Sequence, residues 1–138
     1  MKRITEIINN YLIDKKEVKA AYLFGSTVAG KDVAGSDLDI ALLTDPFKDR
    51  MASYRGRFRY QAEISRLIGR DVDLVFLQET GELLSFQILK KGKVIFERDK
   101  EALRGFRASR VIQCIDFIFL MERMEKGMIA AMRNEIGR

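Results

Sequence analysis

The chain of 138 residues contains no histidine and no tryptophan, and it has a single cysteine, Cys114, and a single proline, Pro46. Without histidine it cannot carry a Ser-His-Asp or Cys-His catalytic group, a histidine-containing zinc site or an imidazole general base. One cysteine cannot form an internal disulfide, and Cys114 is expected to pack as a small apolar residue. Any chemistry in this chain is therefore expected to depend on carboxylates and a bound metal.

Long apolar runs are also missing, since no stretch approaches the ~18 residues that a membrane span requires. The N-terminus shows no signal-peptide pattern, so we expect a cytoplasmic protein that does not contact a membrane. An apolar content of 47% and the length of 138 residues predict one globular domain over residues 1–138. The net charge of +5 favours a polyanionic partner, although the basic residues are spread along the sequence.

Strand-like and helix-like patterns alternate along the chain, which predicts an α/β fold. An N-terminal amphipathic helix ends near Asp14, and the predicted strands are 18–24, 37–43, 71–77 and 93–97. The other predicted helices are 51–68, closed by Gly69, then 79–90, and a stretch from 99 to about 133 that forms one long helix or two stacked ones. In the helix 51–68 the predicted inward residues are Phe58, Ala62, Ser65, Leu67 and Ile68, with the arginines mostly outward.

A glycine-serine turn and two aspartates lie between the first two predicted strands. The apolar run 20–24 ends at Gly25 and Ser26, where a short helix can begin and present free N–H groups to a phosphate. Asp37 and Asp39 are two positions apart, so in an extended chain both side chains point to one face with Cα atoms about 6.5–7 Å apart. This spacing suits a shared divalent cation.

A third carboxylate is predicted in the strand 71–77, where Asp71 and Asp73 share one face. Asp71 follows Arg70 at the start of the strand, where a charged side chain is easily solvated. Asp73 lies among apolar residues, so we expect a buried carboxylate that a cation or hydrogen bonds must compensate. This reasoning favours Asp73.

The pattern of Gly25-Ser26, ten further residues and then Asp37-x-Asp39 resembles the signature of the polymerase β-like nucleotidyltransferase superfamily, in particular its minimal members. The family's third carboxylate, in a Val-Asp-Leu-Val sequence, corresponds to Asp73, and Gly30 and Ser36 also fit. The resemblance covers a core of about 19–97. It implies a small mixed sheet of about four strands flanked by helices, like the polymerase β palm, followed here by a long C-terminal helical extension of about 99–134.

The resemblance implies transfer of a nucleoside monophosphate from a triphosphate such as ATP to a hydroxyl, with release of pyrophosphate. Asp37, Asp39 and Asp73 would bind two Mg²⁺ ions, or Mn²⁺ in their place, and Asp73 would also help to deprotonate the hydroxyl. Gly25 would let the backbone approach the nucleotide closely, and Ser26 would hold the β and γ phosphates. Lys31 and the arginines of helix 51–68 are further, unranked phosphate partners.

The acceptor is less constrained by the residues. A chain of 138 residues has no fingers or thumb to hold a template, which argues against templated polymerisation. Minimal nucleotidyltransferases are often encoded as antitoxins beside a HEPN-type toxin, and the resemblance implies AMP transfer to a toxin tyrosine. The apolar stretch 111–124 either packs on the protein's own core or contacts such a partner, in a homo- or hetero-oligomer. The alternatives are a small acceptor of the aminoglycoside type and an antitoxin that binds without catalysis; the three carboxylates favour catalysis.

Overall fold

The computed structural model describes residues 2–25 and 37–136. Ser26, Lys31, Ser36 and the short helix predicted from Ser26 lie outside the described residues. The elements are, in order, α1 Lys2–Leu12, β1 Val18–Phe24, β2 Leu38–Thr44, α2 Arg50–Ile68, β3 Val72–Phe76, a 3₁₀ turn Leu77–Glu79, α3 Glu82–Lys91, β4 Lys93–Glu97 and α4 Lys100–Ile136.

The four strands form one mixed sheet in the order β3-β2-β1-β4. β1 is antiparallel to both β2 and β4, whereas β2 and β3 are parallel. The predicted mixed sheet of about four strands flanked by helices is therefore confirmed. β3 is an edge strand, and its Leu74 N–H donates a hydrogen bond of 3.1 Å to the side-chain oxygen of Gln61 in α2. This bond occupies a backbone donor that an edge strand would otherwise expose.

Each face of the sheet packs against a different pair of helices, because side chains alternate between the two faces along a strand. On one face, α1 and α2 cover the inward residues of β2 and β3 through a core that includes Ile8, Leu12, Leu38, Ile40, Leu42, Tyr60, Ile64 and Leu74. On the other face, α3 and α4 cover a smaller cluster that includes Ala20, Tyr22, Ala41, Leu43, Ile88 and Leu103. Burying one such large side chain contributes about 1.5–3 kcal/mol to folding.

The guanidinium of Arg98, which follows β4, holds the end of α1 against the sheet. Its nitrogens donate to the carbonyl oxygens of Leu12 at 2.8 Å, Ile13 at 2.9 Å and Val18 at 3.0 Å. The last carbonyls of a helix have no partner within the helix, so a planar guanidinium with several donors can satisfy them together.

The helix predicted at 51–68 is present as α2. Three of its predicted inward residues, Phe58, Ala62 and Leu67, are exposed, whereas Ser65 and Ile68 are half-buried. Asp49 caps the first turn of α2 by accepting from the Ala52 N–H at 2.8 Å. Gly69 ends the helix, as predicted, and adopts the left-handed conformation. Phe58 is 62% exposed, whereas Ser53, Tyr60 and Ile64 are the buried residues. Polar groups can be buried here because they find partners: the Ser53 hydroxyl donates to the Glu79 carboxylate at 2.7 Å and the Tyr60 hydroxyl donates to Glu17.

The C-terminal stretch forms one continuous helix, α4, whose 37 residues correspond to a length of about 55 Å. Only Leu103 and Cys114 are buried in α4, and every described residue from Ile118 onward is exposed. Phe119, Met121 and Met124 therefore do not pack on the core described here, whereas Phe117 is half-buried. No helix among the described residues has the length and apolar character needed to cross a membrane.

Candidate active site

Asp39 and Asp73 lie side by side in neighbouring strands. In the parallel pairing of β2 with β3, Asp39 is aligned with Asp73, and Ala41 is aligned with Val75. Neighbouring strands are about 4.8 Å apart, so two aligned side chains on one face are close neighbours. Asp37 directly precedes β2. The parallel register thus brings together carboxylates that are 34 positions apart in the sequence.

The electrostatics of Asp39 reflect this arrangement. Its pKa is raised above the usual aspartate range, first by partial burial and then by the negative charges of Asp73 and Asp37. Burial and like charges both disfavour the ionised form of a carboxylate. A cation bound between these side chains would remove the repulsion, so the oxygen donors of the three residues fit a magnesium-type ion.

Asp73 is exposed, which contradicts the prediction that its carboxylate is buried. β3 lies at the sheet edge, and the packed cluster on this face of β3 includes Val75 and Leu77 but does not extend to Asp73. Among residues 2–25 and 37–136, no three histidine, cysteine, aspartate or glutamate side chains are already grouped to hold a metal. The charges of Asp37 and Asp73 thus act on Asp39, but the three carboxylates are not arranged as a complete ligand set in the described part of the chain.

Asp71 lies one residue before β3, and its side chain is exposed. Its backbone oxygen accepts from the Leu38 N–H at 2.9 Å, which extends the alignment of β2 with β3. Asp71 also borders a groove of about 1070 Å³ that is lined by α1 and the end of α2, including Arg3 and Arg66. The strand register therefore pairs Asp39 with Asp73 and not with Asp71.

Gly25 lies against the Asp39 carboxylate. Phe24 is aligned with Asp39 in the β1–β2 ladder, and Gly25 follows it with a φ of 79°. A Cβ at position 25 would lie 2.1 Å from Asp39 Oδ2 and 3.0 Å from its Cγ. Both the left-handed backbone and the space require glycine at this position. Gly25 is therefore packed against Asp39, while its predicted close approach to the nucleotide stays a prediction; Ser26 lies outside the described residues.

One contributor to this site was missed at the level of sequence. The side-chain oxygen of Gln61, on α2, accepts a hydrogen bond from the N–H of Leu74, the residue after Asp73. This bond holds the edge strand that carries the Asp73 carboxylate. No local pattern around Gln61 indicates this role, because the contact depends on how α2 packs against β3. Within the described part of the chain, no arginine of α2 forms an ion pair with Asp37, Asp39 or Asp73, so the α2 arginines stay unranked as phosphate partners.

Comparison with known proteins identifies the family of this chain. The protein family described as "Polymerase beta, Nucleotidyltransferase" matches residues 6–101, which is more than two thirds of the chain. The chain belongs to this nucleotidyltransferase family. The match begins in α1, includes all four strands and ends at the start of α4. It confirms the resemblance that the glycine-serine turn and the aspartates indicate.

A curated relative, protein adenylyltransferase MntA of Shewanella oneidensis strain MR-1, is 31% identical over 80 residues. The match includes 58% of this chain and 55% of the relative, so this chain aligns with about half of the relative's length.

Solved structures with the same fold come from toxin–antitoxin complexes. A chain of the toxin-antitoxin MntA-HepT has a TM-score of 0.64 and 21% identity, over 94% of this chain and 96% of that chain. A chain of a toxin-antitoxin with AMP-PNP has a TM-score of 0.63 and 22% identity, over 96% and 98%. A third, from the tri-AMPylated Shewanella oneidensis HEPN toxin in complex with MNT antitoxin, has a TM-score of 0.61 and 21% identity, over 94% and 96%. These similarities confirm the predicted fold.

Proposed function

We propose that this chain is a magnesium-dependent nucleotidyltransferase that transfers AMP from ATP to a tyrosine of a cognate HEPN-type toxin, and that it is the antitoxin of that toxin. The observation that carries the proposal is the alignment of Asp39 with Asp73 beside Gly25. The name of the curated relative and the sources of the similar chains, one with AMP-PNP and one with an AMPylated toxin, support the same assignment.

Asp37, Asp39 and Asp73 would hold the divalent cations, with two Mg²⁺ ions as the expected occupants and Mn²⁺ as a substitute. All three side chains offer only oxygen donors, which suit these ions better than zinc. When bound, the metal supplies positive charge that stabilises the charge developing on the phosphate oxygens. The raised pKa of Asp39, caused by burial and by its acidic neighbours, supports this role because a cation favours its ionised form.

Gly25 and Ser26 would bind the nucleotide phosphates, and Asp73 would accept the proton of the hydroxyl. Gly25 keeps the end of β1 free of a side chain next to Asp39, and Ser26 would bind the β and γ phosphates. Asp73 is exposed at the sheet edge, so its carboxylate would accept the proton of the incoming hydroxyl. As that proton leaves, the hydroxyl oxygen bonds to the α-phosphorus, the bond from this phosphorus to the bridging oxygen breaks, and pyrophosphate departs.

The protein acceptor would contact α4. Apolar side chains remain exposed along the predicted stretch 111–124, including Ile112, Ile115, Phe119, Met121 and Met124. A groove of about 430 Å³ lies between Leu83 of α3 and the part of α4 from Phe117 to Met128. Methionine side chains adapt to the shape of a partner. In this proposal, the core of about 19–97 carries catalysis and the extension of about 99–134 carries toxin binding.

Co-expression with the cognate toxin tests the proposal. The toxin is purified from cells that contain either the wild-type chain or Asp39→Asn, and its tyrosines are examined by mass spectrometry. We expect an AMP adduct only with the wild type, because Asp39→Asn keeps the side-chain shape but removes a metal ligand. Neutralisation of the toxin by both chains without any adduct would mean that this protein inhibits by binding alone.

The contact through α4 is tested separately by two matched substitutions. Met124 is 56% exposed and lines the α3–α4 groove, whereas Met132 is 58% exposed and lies beyond it. We expect Met124→Glu to reduce co-purification of the toxin at least tenfold, since a buried unpaired charge costs more than the ~1.4 kcal/mol that a factor of ten represents. Met132→Glu should have little effect; equal loss with both variants would argue against a contact limited to 111–124.

A further inference from the structure

The outer face of α2 concentrates positive charge. This helix carries five arginines, Arg50, Arg55, Arg57, Arg59 and Arg66, and one acidic residue, Glu63. Glu63 is already engaged, since it accepts a hydrogen bond from the Tyr11 hydroxyl. The other nearby carboxylates are engaged as well: Glu17 accepts from Tyr60 and Glu79 accepts from Ser53. Five of the 25 basic residues of the chain thus lie on this helix, which has Glu63 as its one acidic residue, and the nearby Glu17 interacts with the charge of Arg59.

Two aromatic rings lie exposed among these arginines. Tyr54 is 45% exposed and Phe58 is 62% exposed, and they are one helical turn apart. The guanidinium of Arg57 lies 6.0 Å from the centre of the Tyr54 ring and 5.4 Å from the centre of the Phe58 ring. A guanidinium beside aromatic faces stays available as a cation and adds to ring stacking. Within the described part of the chain, Arg55 forms no ion pair.

We propose that this face, defined by Tyr54, Arg55, Arg57, Phe58 and Arg59, binds single-stranded nucleic acid. Unpaired bases would stack on the Tyr54 and Phe58 rings, and the arginines would neutralise the phosphates that follow along the backbone. Four residues of helix separate the two rings by about 6 Å along the axis, which lets an extended strand contact both. None of the five residues that define this face is acidic, which suits a polyanionic ligand.

An acidic protein surface is the competing occupant, because aromatic and arginine residues also form contacts between proteins. Charge complementarity alone fits both partners. The two exposed rings close to the Arg57 guanidinium favour a ligand with flat faces to stack, which bases provide and aspartate or glutamate side chains do not. The face contains none of Asp37, Asp39 and Asp73, and its binding requires neither ATP nor metal.

Fluorescence anisotropy of the full chain with a labelled single-stranded RNA of about 16 nucleotides, the upper site size of small single-strand binders, tests the proposal. We expect Phe58→Ala to weaken binding about 5- to 150-fold, the range associated with loss of one stacked base. Arg55→Glu should weaken binding and reduce the slope of log K against log salt by about 0.7, the value for one phosphate contact on a single strand. The matched controls on α4, Phe119→Ala and Arg123→Glu, should bind as the wild type does.

Three results would overturn the proposal. The first is no binding of the RNA at low salt. The second is equal weakening by the α2 variants and their α4 controls, which would indicate only a response to net charge. The third is that a labelled poly-glutamate peptide binds more strongly than the RNA and that Phe58→Ala and Arg55→Glu both lose this peptide binding. That result would assign the face to an acidic protein.

Discussion

Asp39 is half-buried beside two further carboxylates, which places its negative charge in energetic conflict with its surroundings. Its raised pKa, caused by burial and by Asp73 and Asp37, means that the folded protein binds the Asp39 proton more tightly than the unfolded chain does. This tighter proton binding stabilises the folded protein at low pH, and the stabilisation is lost as the pH rises through the folded-state pKa of Asp39. At neutral pH, without metal, the ionised carboxylate therefore destabilises the fold.

Asp39→Asn should relieve this conflict and make the metal-free protein more stable. The amide has a similar shape but no charge, so we expect a melting temperature a few degrees above that of the wild type at pH 7 in the presence of a chelator. The stabilisation that Mg²⁺ and ATP give the wild type should be absent in this variant. Asp71→Asn is the control and should behave as the wild type in both conditions. A lower melting temperature for Asp39→Asn in chelator would contradict the account of charge repulsion.

Gly25→Ala should disturb the same carboxylate from the backbone side. The new Cβ would overlap Asp39 Oδ2, and a residue other than glycine at positive φ costs about 1–2 kcal/mol in addition. Gly69 provides a matched control, since its φ is 74° but no atom lies within 4 Å of its would-be Cβ. In urea unfolding, both alanine variants should lose stability, and Gly25→Ala should lose more and also lose AMP transfer. Equal stability loss and intact transfer in both would show that Gly25 is required only for its φ.

At the scale of elements, two tyrosine–glutamate pairs join α2 to its surroundings. The Tyr11 hydroxyl of α1 donates to Glu63 of α2, and the Tyr60 hydroxyl of α2 donates to Glu17 before β1. Burial acts to raise the Glu17 pKa, but the hydrogen bond from Tyr60, a backbone hydrogen bond and the charges of Arg59 and Lys15 outweigh it, so the pKa is lowered. The pair therefore stabilises the fold while Glu17 is ionised.

Tyr60→Phe should destabilise the protein in a pH-dependent manner. A lowered carboxylate pKa contributes stability above the ordinary value of 4.5, and this contribution is lost as the pH falls through the folded-state pKa. We expect a loss of about 1 kcal/mol at pH 7 by urea unfolding, which is less than the ~1.5–3 kcal/mol usual for a hydrogen bond to a charged group because Glu17 is partly exposed. The difference from the wild type should shrink at pH 3.5. Tyr54→Phe, on the exposed face of α2, should be neutral at both pH values; a Tyr60→Phe loss that is the same at both would exclude the Glu17 pair as its cause.

How far the elements could be predicted depended on how local their signals are. β1 and β4 have the predicted bounds, because short apolar runs between turn residues identify buried strands well. The buried face of α2 was not predictable, because Ser53 and Tyr60 are buried through bonds to Glu79 and Glu17, which lie far away in the sequence. An apolar residue such as Phe58 gives no sign in the sequence that it faces outward.

At the scale of the whole molecule, the carboxylates and the exposed apolar part of α4 are separate features of one chain. The choice of Asp73 as the third carboxylate was predictable only from the resemblance to the family, since Asp73 is exposed rather than buried and its alignment with Asp39 comes from the parallel register of β2 with β3. The exposure of Asp73 could not be predicted because it depends on the edge position of β3. The contact of Gly25 with Asp39 could not be predicted either, because it depends on the register of β1 with β2. The sequence alone also did not determine whether the stretch 111–124 packs inward.

The most direct test of the central claim is transfer of label from ATP by the purified chain to its purified cognate toxin. With ATP labelled at the α-phosphate and Mg²⁺ present, we expect label on a toxin tyrosine with the wild type and with Asp71→Asn. Chelation of the metal, or Asp73→Asn, should lower the transfer rate at least about 100-fold, since each 1.36 kcal/mol of lost transition-state stabilisation is a factor of ten. Label that comes instead from the γ-phosphate, or transfer that persists with Asp73→Asn but is lost with Asp71→Asn, would contradict the assignment of Asp37, Asp39 and Asp73 as a nucleotidyl-transfer site.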